Sequence, residues 1–402
     1  MKINKKNTFN FFKLFIFLMY NVAYVLYMAG YINRTINLAI LSIFLLMCIY
    51  QYFFNRRSGV KKKVTFGKEF KAAMAVVVAF FIISGIIQLV HGNVQTYLLS
   101  ELLYNIIPPV LAFFWINTTD YEELKPYFYI FFIRSLFNFI LRKGSNFTLQ
   151  NIMSISWSNS KSSVFETPLA HDFIFLEIIF LYFKKTKIAT ISTLLCLLSF
   201  KRISFILAVL ILIGYHALRR SNVAKNYIQR GVCKKTMVIT FVIMCIMPLI
   251  LNWMVSSSGL SYFRKKGIDL NEFTTGRVGI IQFVNKNIPY YNGYGSSDHF
   301  LTTSGITTYV KLGSMHCDLL KLYYEVTIVG VIIFTYCMIY IAKRKKIIFF
   351  MLIYLFMELI SSHFLDVLSV WNMFFMFAAY VYLREEMELG SNMIKQEFEV
   401  KK

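Results

Sequence analysis

Acidic residues are scarce in this chain: 20 Asp and Glu stand against 43 Lys and Arg, a formal charge of +23. A nucleic-acid-binding chain gathers its cations in a patch or stripe. Here they sit at the ends of apolar runs, as in a membrane chain with Lys and Arg concentrated on one side, and no nucleic-acid partner is expected. Cysteine is sparse too: Cys48, Cys196, Cys233, Cys245, Cys317 and Cys337 form no C-x-x-C pair and lie mostly inside apolar runs. That excludes a disulfide framework and reads them as small core hydrophobes. The histidines (His91, His171, His216, His299, His316 and His363) are scattered, with no H-E-x-x-H spacing, so no dedicated zinc site and no metal are expected. There is no G-x-x-x-x-G-K-[ST] loop, which excludes a self-sufficient ATP-driven pump. Any energy must come from a gradient or an activated substrate. No polar stretch is long enough for a separate soluble domain of ~50–250 residues, and there is no internal repeat or low-complexity tract.

What the chain has is apolar sequence: 57% of its 402 residues are hydrophobic. Runs of roughly membrane-spanning length, ~17–25 residues, recur from end to end. They predict helices at about 11–30, 36–54, 72–90, 99–117, 127–141, 170–183, 188–200, 203–218, 236–254, 317–342, 347–361 and 366–383. The expected fold is all-α: one transmembrane domain over 1–402 with about twelve spanning helices. The first run follows Lys2, Lys5 and Lys6 and leads through Ala29-Gly30-Tyr31 into another apolar run, which reads as an uncleaved helix. With the N-terminus placed in the cytoplasm, 29 basic residues fall inside and 12 outside, while Arg134 and Lys321 lie within helices. Both termini are then cytoplasmic, with 384–402 as a charged tail. Two long outer loops result, 142–169 and 255–315, the second just before the tenth helix. Loops of this length in a compact domain are usually functional.

Four places could carry chemistry. Lys201-Arg202 lies between two apolar runs too short to span with ease, which puts two cations in a tight outer turn. Such charges are costly unless paired or hydrated, although a snorkelling pair at a helix end is the ordinary alternative. Arg277 follows Thr274-Thr275-Gly276 at the start of a short helix. A cation does not suit a helix N-terminus, so an anionic partner is as reasonable there as an exposed loop arginine. Asn292-Gly293-Tyr294-Gly295 is a turn whose glycines supply positive φ, a weak ligand signal. His316 stands where the second outer loop enters the tenth helix, with Asp318 in the first turn and Glu325 deep enough to need a partner. A hydrogen-bonded helix-end residue is the bland reading of that histidine.

The order of these features resembles the O-antigen ligase and polymerase superfamily, and within it the Wzy-type polymerases. It consists of Lys-Arg-x-Ser after an apolar run, Thr-Gly-Arg in a long outer loop, Pro-x-x-x-Gly-x-Gly, and then His followed by Asp, Glu and a glycine. The layout likeness covers the whole chain, whereas the motifs cover about 190–220 and 270–330 only. Cys317 and Asp318 stand where ligase-like members have an asparagine after the histidine. The resemblance implies a metal-independent, cofactor-free glycosyltransferase of a bacterial cytoplasmic membrane. It would polymerise polyprenyl-diphosphate-linked oligosaccharide repeat units on the outer face. Arg202 and Arg277 would hold the leaving diphosphate and His316 would act as base, with Lys201, Gly293, Gly295 and Asp318 in substrate binding. Glu166, Asp172, Asp298 or Asp318 could replace or orient the base. Membrane lipid, a flippase and a chain-length regulator are the implied partners. A ligase would use the same residues, and a lipid-linked oligosaccharide flippase or other transporter is the alternative from a different class. A scaffold gives no reason for Arg202 in an outer turn.

The charge bias makes a topological prediction. Single cysteines placed in a background without native cysteines should label from outside throughout 255–315 and not at position 61. Strong external labelling at 61, or none in 255–315, refutes the orientation.

Overall fold

The computed structural model describes residues 5–59, 64–146, 148, 150–151, 167–199, 201–219, 231–274, 276–288, 291–303 and 314–400. The side chains of 5–8, 202, 217–219 and 390–400 fall outside that description, as do Lys161, Glu166, Thr275, Pro289 and Gly313 altogether. All regular structure among the described residues is helical, with no strands. Each of the twelve apolar runs forms a helix: α1 Lys5–Met28, α2 Arg34–Arg57, α3 Gly67–Val90, α4 Tyr97–Thr118, α5 Lys125–Lys143, α6 Leu169–Tyr182, α7 Thr186–Leu198, α8 Arg202–Arg219 and α9 Lys234–Val255, then, after four short helices, α14 Asp318–Ala342, α15 Lys346–Ser361 and α16 Leu368–Val400. Among the described residues seven helices, α1 to α5, α9 and α14, are long and apolar enough to cross a membrane. Helices α6, α7 and α15, with 14, 13 and 16 residues, fall short of the ~20 that a bilayer core requires.

The distribution of side chains is that of a protein in lipid. Helix α2 exposes Leu46, Tyr50 and Phe53 and buries Asn37 and Gln51; α3 exposes Val78, Phe81, Ile82 and Leu89 and buries Ser84 and Gln88. Extended apolar faces turned outward are not stable in water, and polar groups turned inward are kept out of hydrocarbon, which offers no hydrogen bonds. The chain is an integral membrane protein.

Two compact units divide the chain. One comprises Met1–Gly67, Val110–Asn226 and Ser369–Lys402, the other Lys68–Pro109 and Tyr227–Leu368. The boundary between them in the chain falls within α4, after Pro109. In the first unit α6 is the central element: every residue from Leu169 to Leu181 is buried, and α5, α7 and α8 pack on it. A helix hydrophobic all round belongs in such a position. Helix α1 is joined to α2 and α5 by interlocked rings, with Phe17 at 5.1 Å from Phe44, 4.9 Å from Tyr127 and 5.2 Å from Phe131. Lys13, wholly buried in α1, donates to the Thr118 carbonyl and the Thr119 hydroxyl, each at 3.1 Å.

In the second unit α14 packs between α9 and α15. The described residues of the segment 255–315, expected as an outer loop, include four short helices: α10 Ser257–Lys265, α11 Leu270–Phe273, α12 Arg277–Asn287 and α13 Ser296–Thr303. Local caps begin the first two. The Ser256 hydroxyl accepts from the Gly259 amide at 3.3 Å, and Asp269 accepts from the amides of Asn271 and Glu272 at 2.8 and 3.2 Å.

Candidate functional site

In the second unit the turn and the deep acid named from the sequence are bonded to each other. Gly293 and Gly295 stand at φ of 89° and 86° on either side of the buried Tyr294. Neither position has room for a side chain: a Cβ on Gly293 would lie 2.7 Å from the Ser84 Cβ, and one on Gly295 2.4 Å from the Glu101 Cγ. The Tyr294 amide donates to the Ser84 hydroxyl at 2.9 Å and its own hydroxyl accepts from Asn105 at 2.8 Å. Burial raises the Tyr294 pKa, so the hydroxyl stays neutral. The turn leads directly into α13, and Glu325 of α14 receives the donors exposed there. The amides of Gly295 and Ser297 reach its two oxygens at 2.8 Å each, and the Ser297 hydroxyl adds a third bond at 2.5 Å. A carboxylate at a helix N-terminus meets both unpaired amides and the positive end of the dipole. One turn earlier on α14, the buried Lys321 pairs with Asp298 of α13. Both glycines are therefore explained by the turn, and the Gly295 amide is taken by Glu325.

Immediately after Glu325 the helix breaks. Val326 is at φ −124°, ψ 16° and Thr327 at φ 62°, ψ 177°. Positive φ on a β-branched residue is strained. Gly330 leaves space for the displaced Val326, whose Cγ2 would be 2.5 Å from a Cβ there.

At the start of α14, Asp318 is fully buried and occupied. It accepts from the Phe364 amide, from the Leu365 amide at 2.6 Å and from His363 Nδ1 at 3.0 Å. His363 in turn meets Asp366 through Nε2 at 2.8 Å. Burial alone would lower the His363 pKa, but the two carboxylates outweigh it and hold the ring protonated, well above its ordinary value. His316 lies beside it, ring centroids 6.2 Å apart, at a φ of 44°. His363 was not singled out in the sequence. It is 45 residues from Asp318, and no motif spacing joins them.

The short helix expected at Arg277 is present, with Arg277 its first residue. Its start is shaped by Gly276 at φ 89°, and the Thr274 hydroxyl accepts from the Val278 amide at 3.3 Å. Ile280, Ile281 and Val284 of this helix share one apolar cluster with Met315, Cys317 and Leu320, which flank His316. Burial pushes the Cys317 thiol up to about 12, and the Arg277 charge is near enough to oppose that rise. Arg277 and His316 thus stand on a common core.

Lys201 and Arg202 belong to the first unit. Lys201 meets the buried His171. The neighbouring Asp172 pairs with Arg134 at 2.7 Å and accepts from Ser135 at 2.9 Å and Ser369 at 3.4 Å. Arg134 lies over the rings of Tyr24 and Phe131 at 4.8 and 4.9 Å. Arg202 opens α8, and its side chain is outside the described residues. Comparison with protein-family models, curated proteins and solved structures finds no match.

Two predictions follow from the second unit. Gly295→Ala should destabilise the protein by more than the ~1–2 kcal/mol that positive φ imposes on any side chain. Gly267→Ala, also at positive φ (75°) but with nothing within 4 Å, should show the φ cost alone. Equal losses on unfolding in detergent would refute the tight fit. For His363, the folded pKa is raised, so the stabilisation is complete below the unfolded value of ~6.5 and is lost as pH rises through the folded value. The Tm advantage of the wild type over His363→Gln should be greatest at mildly acid pH and shrink on the alkaline side. A pH-independent difference would remove the charge from His363.

Proposed function

We propose that the chain is a Wzy-type polymerase: a metal-independent glycosyltransferase that joins polyprenyl-diphosphate-linked oligosaccharide repeat units on the outer face of a bacterial cytoplasmic membrane. In this reading twelve helices span, both termini are cytoplasmic, and a flippase supplies the repeat units. The observation that supports it most is the bonding of Gly295 and Ser297 to Glu325, together with the apolar core common to Arg277 and the His316 flank. The motif pieces of 276–330, separated in the sequence, belong to one folded unit, while Lys201-Arg202 belongs to the other.

The reaction forms a bond from an acceptor sugar hydroxyl to the anomeric carbon of the growing glycan and breaks the bond from that carbon to the diphosphate. His316, as a neutral imidazole, takes the hydroxyl proton. The electron pair leaves with the polyprenyl diphosphate. Arg277 binds its oxygens through a planar fork that a lysine cannot reproduce, and Arg202 with Lys201 adds positive charge. His363, held as a cation by Asp318 and Asp366, contributes further charge beside His316. Asp318 is in this scheme a positioning residue.

A second reading, a transporter of lipid-linked oligosaccharides, is favoured by one feature. Helix α14 is broken next to a buried carboxylate, as in carriers whose discontinuous helices form the substrate site. Glycan analysis separates the two. In a polymerase, Arg277→Ala or Arg202→Ala should cut long glycan about a hundredfold to a thousandfold and leave single repeat units on the outer side. His316→Ala should do the same through loss of the base, ~10²–10⁴-fold, and Arg277→Lys should restore little. Repeat units trapped on the cytoplasmic side in these variants would favour transport, and normal polymerisation would end the mechanism.

A further inference from the structure

A cavity of about 510 Å³ opens in the first unit where α5 begins and α6 ends. Asp172 lies near the start of α6 and the cavity beyond its end, so the opening is at the opposite end of α6 from His171 and Lys201. Four cations line it, Lys125, Lys184, Lys185 and Arg384, against one carboxylate, Glu388. Two of the cations are held over rings: Arg384 is 5.2 Å from the Tyr182 centroid and Lys125 6.0 Å from that of Tyr121. Arg384 Nε is bonded to Glu388 at 2.8 Å. The Tyr380 hydroxyl donates to that of Tyr121 at 3.0 Å.

Lysines at the end of a membrane helix have an ordinary explanation, retention on the cytoplasmic side. That explanation does not account for Lys184. Helix α6 ends in a reversal in which the Lys185 amide bonds the Phe180 carbonyl at 2.8 Å and the Lys184 amide that of Leu181 at 3.0 Å. Lys184 occupies the left-handed position of this turn, at φ 58°. Glycine is the usual residue there because a side chain is strained. A lysine in that position places its ammonium at the cavity at a cost that glycine would avoid.

We propose that this cavity binds the phosphate of an anionic group, either a lipid headgroup or a soluble phosphate species. Basic pockets between membrane helices bind phosphate headgroups by such an arrangement of forked and point charges. The proposal is independent of the glycan chemistry assigned above.

The test uses the full-length protein in neutral detergent, with Tm and native mass spectrometry as readouts. The probes are phosphatidylglycerol, phosphatidylcholine and pyrophosphate. Phosphatidylglycerol or pyrophosphate should raise the wild-type Tm and phosphatidylcholine should not. A response to phosphatidylglycerol alone identifies a lipid site, and a response to pyrophosphate alone a soluble ligand. Lys184→Gly should weaken the responding probe about tenfold or more while leaving the ligand-free Tm equal to or above that of the wild type, because the turn is relaxed. Lys125→Gln should weaken it comparably. The double variant Lys234→Gln/Lys235→Gln, at the exposed start of α9, should bind as the wild type does. Equal affinity in Lys184→Gly, Lys125→Gln and the wild type overturns the proposal. So does equal weakening in the α9 variant, or the absence of any response to both anionic probes.

Discussion

A carboxylate removed from water in an apolar surrounding is very costly unless its oxygens are fully bonded, and the second unit is organised around that requirement at Glu325. Three donors must arrive within hydrogen-bond distance of one side chain. Two backbone amides and a hydroxyl at the beginning of a helix supply those bonds, with the buried Lys321 charge acting on the same acid. The chain can present them only by turning sharply on both sides of Tyr294, which demands positive φ at Gly293 and Gly295. It must also approach α3 and α4 closely enough that Ser84 and Glu101 fill the space a side chain would take. Lys321, on the same helix as Glu325, ties α13 a second time through Asp298. The position of α13, the turn before it and the departure of α14 from helical geometry all accompany this one buried acid.

The first unit meets the same problem differently. Asp172 lies in the buried helix α6, which also carries His171 and Glu177, and Arg134 meets it at 2.7 Å, with further bonds from Ser135 and Ser369. A buried ion pair of this kind offers little net stability, since desolvation offsets most of the attraction. Removal of one partner alone is the costly event. The surrounding packing is carried by interlocked aromatic rings. In lipid such contacts matter more than burial, because hydrocarbon outside competes equally for apolar surface.

That the apolar runs are helical was legible because the length of an apolar run is a local property; among the described residues seven of these helices are long and apolar enough to span. The helix at Arg277 was legible from Thr274 and Gly276, although glycine in left-handed geometry rather than a threonine side chain occupies the cap position. Gly293 and Gly295 declared positive φ, and the depth of Glu325 declared a need for a partner. That the two needs answer each other was not legible, since 30 residues separate Gly295 from Glu325. The same holds for His363 with Asp318 and for His171 with Lys201: nothing in spacing or composition joins them. The other helices described within 255–315 escaped notice because none approaches spanning length, though Ser256 and Asp269 were ordinary cap residues. The resemblance put Asp318 in substrate binding; its oxygens hold the connection before α16.

Backbone amides supply two of the three bonds to Glu325, and an amide is the same in every residue but proline. Most of α13 can therefore exchange its side chains while the acid stays satisfied. The two glycines, a hydroxyl at 297 and the charge at 298 are bound by geometry, and Leu301 by the apolar core. A centre recorded mainly in main-chain atoms leaves few letters in the sequence. Two proteins could keep it intact over a long separation and share hardly any recognisable text.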